Sequence, residues 1–580
     1  MRAASSCETP RNHSCTCWIA SCVLPSSFMR RTVRRCSSSS CGSTRSWRRY
    51  CSAKPRTRKS PAATIATVPT HPGTVVYTAT TATSENTAAR TKLTMRMRHT
   101  VAWITMVHRS PLPGIALPGT PLHALAFDGA DPALPAITEL DTERSVTYGE
   151  LFSLVDAASR SLRPGTTLAL RAPNSIDFAV ALLAASRAGA TACLIGHTLV
   201  DAEARRLADL AGAEGTLHPG GAPCFDPPAV VNPDADAVAV VAFSSGTTGL
   251  PKAVELTHRS IVANALQFNA ALAASGIGEG TRVAAPLPFS HIYGLNTLLL
   301  SSLAARRHVF TAARFDLAQF ARAHREHAIE LSFIAPPIAL RLANDPGIDP
   351  RDFAACAHMV CGAAPLDEAL ARRVETRLST VLLQGYGTTE SSPVTHVGIS
   401  GRSNPGTIGF AVPNTEFRVV DLATGAEAPD GADGELQVRG PQLMRGYRGD
   451  PLATRAALAG GWLRTGDVAR VNADDTVTVV DRAKDVIKYH GFQVAPAELE
   501  AVLLTHPDVA DAAVAGRVDG RGEEVPHAFV VKRNGAGVDA AGLMAWVAAR
   551  VTAYKKVRGV TFVEEVPRNA AGKILRRELR

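Results

Sequence analysis

The chain has 580 residues, 46% of them hydrophobic, which is enough for at least two domains with sizeable cores, and a formal net charge of +10. That charge is local: residues 1–109 carry 18 Lys and Arg against 2 acidic residues, a net +16, so residues 110–580 are at −6. The globular part therefore gives no nucleic-acid signal, and no uninterrupted apolar stretch reaches the roughly 18–20 residues of a membrane span.

The N-terminal stretch is unlike the rest. "RRTVRRCSSSSCGSTRSWRRYC" has no apolar periodicity and is too polar to offset the entropy of ordering it. Without a continuous apolar core it is no secretory signal, and its Arg- and Ser-rich, acid-poor composition is closer to an organellar transit peptide. The favoured reading is a later translation start, at Met95, Met97 or Met106, because the Ala- and Arg-rich remainder points to a bacterial source with no use for a transit peptide. Seven of the eleven cysteines lie in the first 51 residues, where Cys15-Thr16-Cys17 lacks a partner pair at zinc-finger spacing. The other four (Cys193, Cys224, Cys356 and Cys361) are scattered, which suits a reducing cytoplasm.

From Ser110 onward helical and strand patterns alternate: helix Thr147 to Leu162, strand Thr167 to Arg171, helix Ser175 to Gly189 and strand Thr191 to Ile195. The most apolar stretch, Phe178 to Val200, is interrupted by Arg187 and His197 and reads as a buried helix followed by a strand. The next strand, Ala237 to Phe243, is valine-rich and suits burial on both faces. It runs into "SSGTTGLPK", Ser244 to Lys252, where four hydroxyls and two glycines let backbone N–H groups converge and a lysine adds charge. Two readings stay open on composition: an anion cradle suited to phosphate, or a surface turn with an N-cap. The Walker spacing is absent.

Further on, Thr257 to Ser275 and Leu317 to His327 read as helices, and Arg282 to Pro286 and Leu331 to Ala335 as strands, so stacked βα units with mostly parallel sheets are expected. "QGYGTTE", Gln384 to Glu390, follows the apolar run Val381 to Leu383, predicting a glycine-rich turn at a strand end with Glu390 as a hard oxygen ligand. Beyond Asn404 shorter strands with turns predict a small β-rich subdomain, and "GWLRTGD" places Asp467 at a strand end. A boundary falls near Asp481 to Lys484. After it come helix Ala495 to Thr505, strands Val509 to Arg517 and His527 to Lys532, helix Ala540 to Val551, and "PRNAAGKIL" with Lys573 on a glycine-led turn. Taken singly, each of these polar groups has a plain alternative as a solvated loop residue.

Together they do not. SSGTTGLPK, QGYGTTE, GWLRTGD, "DRAKDVIKYHGFQVAPAELE" and PRNAAGKIL, in this order, resemble the signatures of the adenylate-forming enzymes, and "PFSHIYGLN", "LTHRSIVAN" and "RGPQLMRGY" resemble the 4-coumarate:CoA ligase branch of the acyl-CoA synthetases. The resemblance implies an α/β fold in which residues 110–481 form a large domain of stacked βαβ sheets plus the β-rich subdomain. Residues 482–580 would form a small mobile α+β domain, behind a basic extension over 1–109. It implies a carboxylate attacking the α-phosphate of MgATP, then CoA displacing AMP to give a thioester, with no covalent enzyme intermediate.

By the same resemblance Ser244, Ser245, Gly246, Thr247, Thr248 and Lys252 hold phosphate, Gln384, Gly385 and Thr389 the nucleotide, and Glu390 the Mg²⁺. Asp467 and Arg482 take the ribose; Lys484 is the hinge; Lys488 and Gln493 face the adenylate; Lys573 neutralises the pentacovalent phosphorus. His291 sits by the acid, whose pocket is walled by Tyr293, Gly362, Ala363, Gly387, Pro393 and Val394. Arg314 and Gly491 serve CoA, with His490 departing from the lysine common in that branch. Ala253 replaces the usual glycine and is tolerated unless positive φ is needed. The implied partners are a small carboxylic acid, aryl or fatty, with ATP and CoA in a cytoplasmic enzyme. The competing functions are a free-standing enzyme that loads an acyl carrier protein, a luciferase-type oxygenase, and a non-catalytic nucleotide-binding module.

Overall fold

The computed structural model describes residues 107–217, 233–244, 251–482, 485–489, 492–519, 524–568 and 572–579. The basic extension up to residue 106, with the three candidate start methionines and the seven early cysteines, lies outside them, as does Cys224.

Two sheets carry the large domain. The nine-stranded sheet has a parallel centre in which Val381–Gly387, His358–Cys361, Leu331–Ile334, Arg282–Ala284, His308–Thr311 and Pro135–Glu139 lie side by side. The six-stranded sheet sets Val238–Ser244 between parallel Thr191–Leu194 and antiparallel Lys252–Thr257. The predicted βα units appear with trimmed ends, because capping residues stop them. Thr147 caps Tyr148–Ser159 with a capping box, Ser175 caps Ile176–Ala188, and Gly189, at φ +71°, ends that helix in the left-handed region. Helices on the sheet faces bury one continuous core running from Leu122 to Val477.

The β-rich part is a third sheet, in which Glu416–Val420, Gly434–Arg439, Trp462–Val471 and Val477–Arg482 pair antiparallel. His108–Arg109 adds an edge strand to it, so the ordered sheet takes in two residues ahead of the expected boundary at 110. The C-terminal part has its own apolar core, from Ile487 to Val557, between helices Pro496–Leu504 and Ala540–Ala548 and the sheet of Val509–Val518, Glu524–Lys532 and Gly559–Phe562. Among the described residues no helix is long and apolar enough to cross a membrane.

Two local expectations are corrected. The glycines of QGYGTTE lie inside strand Val381–Gly387 and the turn begins only at Thr388, because the strand goes on to pair antiparallel with Val394–Val397. At Gly387 a Cβ would fall 1.8 Å from the Pro393 carbonyl oxygen, so glycine is demanded there by close backbone approach. Asp467 is likewise inside a ten-residue strand, Trp462–Val471, and not at its end: Gly466, at φ +71°, absorbs a bulge and the ladder resumes beyond it. Ala253 sits in strand Lys252–Thr257 and is absent from the positive-φ positions, so its methyl is accommodated.

Burial of imidazoles gives the fold a pH dependence. Desolvation is the largest cause holding His123, His258, His291, His308 and His324 at about 4, and His396 at about 3, against an ordinary 6.5. Below pH 6.5 the unfolded chain binds these protons first, so stability is lost as pH falls from about 6.5 towards 4, by up to about 1.4 kcal/mol per pH unit for each group. The expected thermal midpoint is flat between pH 7 and 8 and drops continuously below 6.5. An equally flat midpoint between pH 7 and 5 would contradict the burial of these rings.

Candidate functional site

A cavity of about 640 Å³ opens where the strand ends of all three sheets meet the C-terminal turn. At its polar end Ser244 and Lys252 stand opposite each other in the Val238–Ser244/Lys252–Thr257 ladder. Lys252 Nζ lies 4.5 Å from the centre of the Tyr447 ring, and the Tyr447 hydroxyl donates to Glu390 Oε1 at 2.9 Å. Burial, then the Glu390 carboxylate, raises the Tyr447 phenol above its usual range and keeps it a donor. Thr389 and Glu390 form a short 3₁₀ turn started by the Thr388 capping box, which aims both residues into the cavity.

Beside them the Tyr386 hydroxyl donates to Asp467 Oδ2 at 2.6 Å, and Arg482 Nε is 3.1 Å from Asp467 Oδ1 across the Asp467/Arg482 register pair. Tyr386 and Arg482 line the cavity, while Asp467, only 4% exposed, stands directly behind them. Burial and then Asp467 push the Tyr386 phenol well above its ordinary value.

The apolar end is walled by His291, Tyr293, Phe268, Val360, Val394 and Leu463. Tyr293 opens the π-helix Tyr293–Leu300; its hydroxyl donates to the Val360 carbonyl at 3.1 Å and its ring fills the space beside Gly362, where a Cβ would lie 3.0 Å from Cζ. His291 Nδ1 accepts the Tyr293 N–H at 3.2 Å. Burial first, and Lys573 second, hold this imidazole at about 4, so at neutral pH Nε2 carries the proton and acts as a donor. Ala363, Gly385, Gly387 and Pro393 also line the cavity.

Lys573 reaches the same cavity from the far end of the chain. It follows Gly572, whose φ of +82° turns the segment against Pro337.

Two expected residues are not brought here. The Gln384 amide is buried and donates to the Leu366 carbonyl at 3.0 Å and to the Pro405 carbonyl at 2.5 Å, so it ties two loops together instead of facing the cavity. Arg314 is exposed, outside the cavity lining and close enough to lower the pKa of His197 after burial and Arg171. Ser245, Gly246, Thr247, Thr248, Lys484, His490 and Gly491, and the side chains of Lys488 and Gln493, lie outside the described residues; the backbone pairs Lys488 with Gln493 across a hairpin. Sequence reasoning missed Tyr386 and Tyr447 as partners of Asp467 and Glu390, although both stand next to glycines inside the quoted motifs. Cys361 is buried with its thiol pushed far up by desolvation, so it is no nucleophile.

The model of the AMP-binding enzyme family matches residues 128–219 and 213–448, and that of the AMP-binding enzyme C-terminal domain matches 498–573. This chain belongs to that family. The family member 4-coumarate–CoA ligase 5 of Oryza sativa subsp. japonica is 36% identical over 529 residues, covering 82% of this chain and 97% of the rice protein. 4-Coumarate–CoA ligase 1 of Solanum tuberosum is 34% identical over 530 residues, covering 82% of this chain and 96% of the potato protein. Among solved structures, ATP-bound MatB from Rhodopseudomonas palustris aligns with a TM-score of 0.72 at 25% identity over 79% of this chain and 98% of MatB. The amide bond synthetase McbA from Marinactinospora thermotolerans aligns with a TM-score of 0.70 at 27% identity over 79% and 98%. As a member of the AMP-binding family the chain is an ATP-dependent, adenylate-forming enzyme of the AMP-forming acid–thiol ligase class.

Proposed function

We propose that this enzyme activates an aromatic acid bearing a polar ring substituent, with ATP, and passes the acyl group to CoA. The observation that carries the reading is that Lys252, inside the N-terminal family match, and Lys573, the last residue of the C-terminal one, meet an apolar pocket in one cavity. Two ammonium groups there supply what the first half needs: they neutralise charge as an acid oxygen bonds to the α-phosphorus and pyrophosphate leaves. The Nε2–H of neutral His291 is placed to hold the acid carboxylate without adding charge. In the second half the CoA sulfur bonds to the acyl carbon, the thiol proton is released, and AMP departs with the bridging oxygen.

Mg²⁺ suits this site. Glu390 is one carboxylate with Oε2 still available, and the described residues hold no group of three metal-ligating side chains, so the ion would take its other oxygens from phosphate and water. Bound there, Mg²⁺ supplies charge neutralisation on the phosphate oxygens.

The ring and its substituent are read from the apolar end. Phe268, Tyr293, Val360 and Val394 leave a mainly apolar pocket in which, besides His291, one polar side chain stands out: Thr297, which is 2% exposed and whose Oγ1 has no hydrogen-bond partner among the described residues. A hydroxyl or amino group on the ring would satisfy it, and the 4-coumarate–CoA ligases named above support that acid class.

The test is thioester formation with ATP, Mg²⁺ and CoA across cinnamic, benzoic and fatty acids. Hydroxylated aryl acids should lead. Acid-dependent pyrophosphate release that CoA never converts to thioester would assign the acyl group to a carrier protein instead. Thr297→Val should lower the kcat/KM ratio of hydroxylated over unsubstituted ring acids about tenfold, the worth of one buried hydrogen bond. An unchanged ratio would sink the pocket assignment.

A further inference from the structure

Lys573 sits on a short exposed-chain turn, yet the first half-reaction needs its ammonium within a fraction of an ångström of one place. What holds it there is on either side. Five residues before it, Arg568 Nη2 donates to both oxygens of Asp511, at 2.9 and 3.1 Å, and Nη1 donates to the carbonyl of Gly572, the peptide that leads into Lys573, at 3.0 Å. Three residues after it, Arg576 Nη2 donates to both oxygens of Glu500, at 2.7 and 2.8 Å, while Nε donates to the Val514 carbonyl at 3.0 Å. Glu500 Oε1 in turn accepts the Val514 N–H at 2.7 Å, so the second pair closes on one residue, Val514, of strand Val509–Val518. Asp511 lies on the same strand, three residues away.

The two forks therefore hang both ends of the Lys573 turn from one strand. The Arg576–Glu500 pair is nearly buried, with side chains 12% and 11% exposed. Its environment holds more carboxylate than arginine. Asp485 Oδ2 is 3.9 Å from Arg576 Nη1, and Asp481 faces the same guanidinium electrostatically. Asp481 belongs to strand Val477–Arg482 beside Arg482 and Asp467, and its Oδ2 accepts the N–H of Ala497 in the first turn of helix Pro496–Leu504, the helix that carries Glu500. Arg576 is thus linked both to the turn it anchors and to the strand that carries Arg482.

Resting on the function proposed above, we infer that Arg568 and Arg576 are positioning residues for adenylate formation, a two-point clamp that fixes Lys573 in the cavity. Neither touches the acid or the nucleotide; each acts through the turn. Each guanidinium spans a carboxylate, through Nη2, and a backbone carbonyl, through a second N–H, in one rigid plane; an ammonium cannot span both in a fixed plane, which makes Arg→Lys a non-conservative change here.

The experiment measures both half-reactions on the full chain. Adenylate formation is followed by acid-dependent ATP–pyrophosphate exchange, and the second half by thioester formation from supplied acyl-adenylate and CoA. In Arg568→Gln and Arg576→Gln the exchange kcat should fall at least tenfold, and towards the ~10²-fold that a misplacement of about 1 Å costs. The KM values for ATP and acid and the rate of the second half should stay within about twofold of wild type, on the same order-of-magnitude reading of positioning effects. The Lys variants should recover part of the loss, and the shape-preserving Asp511→Asn and Glu500→Gln should repeat the split if an arginine variant is insoluble. An equal fall in both halves, marking a structural role only, or no fall at all, would overturn the clamp. Lys573→Ala is run alongside: exchange at the wild-type rate in that variant would overturn the clamp through its target. No acid-dependent exchange in the wild type would instead remove the proposed function itself, and the clamp with it.

Discussion

Lys573→Ala should lower acid-dependent ATP–pyrophosphate exchange by about 10²–10³-fold, the loss expected when one charge-stabilising donor is removed from a closed site. Thioester formation from supplied acyl-adenylate should proceed at a near wild-type rate, because by then the phosphorus has already passed its pentacovalent stage. Two features of the structure make the expected effect large. Lys573 lines the cavity with Lys252 and Glu390, and its charge is felt by His291, whose pKa it lowers after burial. The variant should also raise the pKa of His291 by the share the neighbouring charge supplies, with burial, the larger cause, still holding it below the ordinary value, and NMR titration of that ring reads the change without reference to turnover. Exchange at the wild-type rate, or a His291 titration that does not move, would show that the ammonium does not stand where the cavity lining puts it. Loss of both halves together would assign Lys573 to the fold of the C-terminal turn.

The parts of this site that were legible in the sequence are those written in local patterns. Short apolar runs of β-branched residues broken by glycine and hydroxyl residues placed Ser244, Lys252, Thr389 and Glu390 at strand ends, and the structure sets all four on one cavity. Amphipathic helices ended where Ser, Thr and Gly caps end them, a chemistry confined to a few consecutive residues. What escaped was set by contacts between distant segments. Nothing near Gln384 predicts that its amide is used by Leu366 and Pro405, and nothing near Gly387 shows that Pro393 passes within reach of its missing Cβ. Thr297 and Phe268 lie in apolar helices with no local sign of a site; only packing of the π-helix Tyr293–Leu300 against its neighbours brings Thr297 to the cavity lining. Asp467 was found by its motif and misplaced along its strand, since the bulge that lets the strand continue depends on the register against Gly434–Arg439. Arg568 and Arg576 carry no local signal of their partners, because their carboxylates are 57 and 76 residues away.

The second large effect belongs to Asp467→Ala. In the folded protein this carboxylate, itself only 4% exposed, accepts from the Tyr386 hydroxyl and faces the Arg482 guanidinium. Removing it strands a half-buried phenol and guanidinium at the edge of the cavity, which should cost about 1 kcal/mol of stability, the low end of the penalty for an unsatisfied partner. It should also raise the KM for ATP by about 10²-fold or more, since a nucleotide would lose a bidentate acceptor and meet an Arg482 free to swing. The two consequences separate in a double-mutant cycle with Tyr386→Phe. That substitution alone removes the hydroxyl but leaves the carboxylate and Arg482 in place, so it should reduce stability slightly and change the KM for ATP little. If Asp467 serves only as a partner for Tyr386, Asp467→Ala in the Tyr386→Phe background will leave the KM for ATP unchanged. If it serves the nucleotide, the KM will rise as far in that background as in the wild type, while the stability cost shrinks by the share the phenol accounted for. The cycle therefore reads out whether the most buried carboxylate at this site is there for the strand that carries it or for the nucleotide.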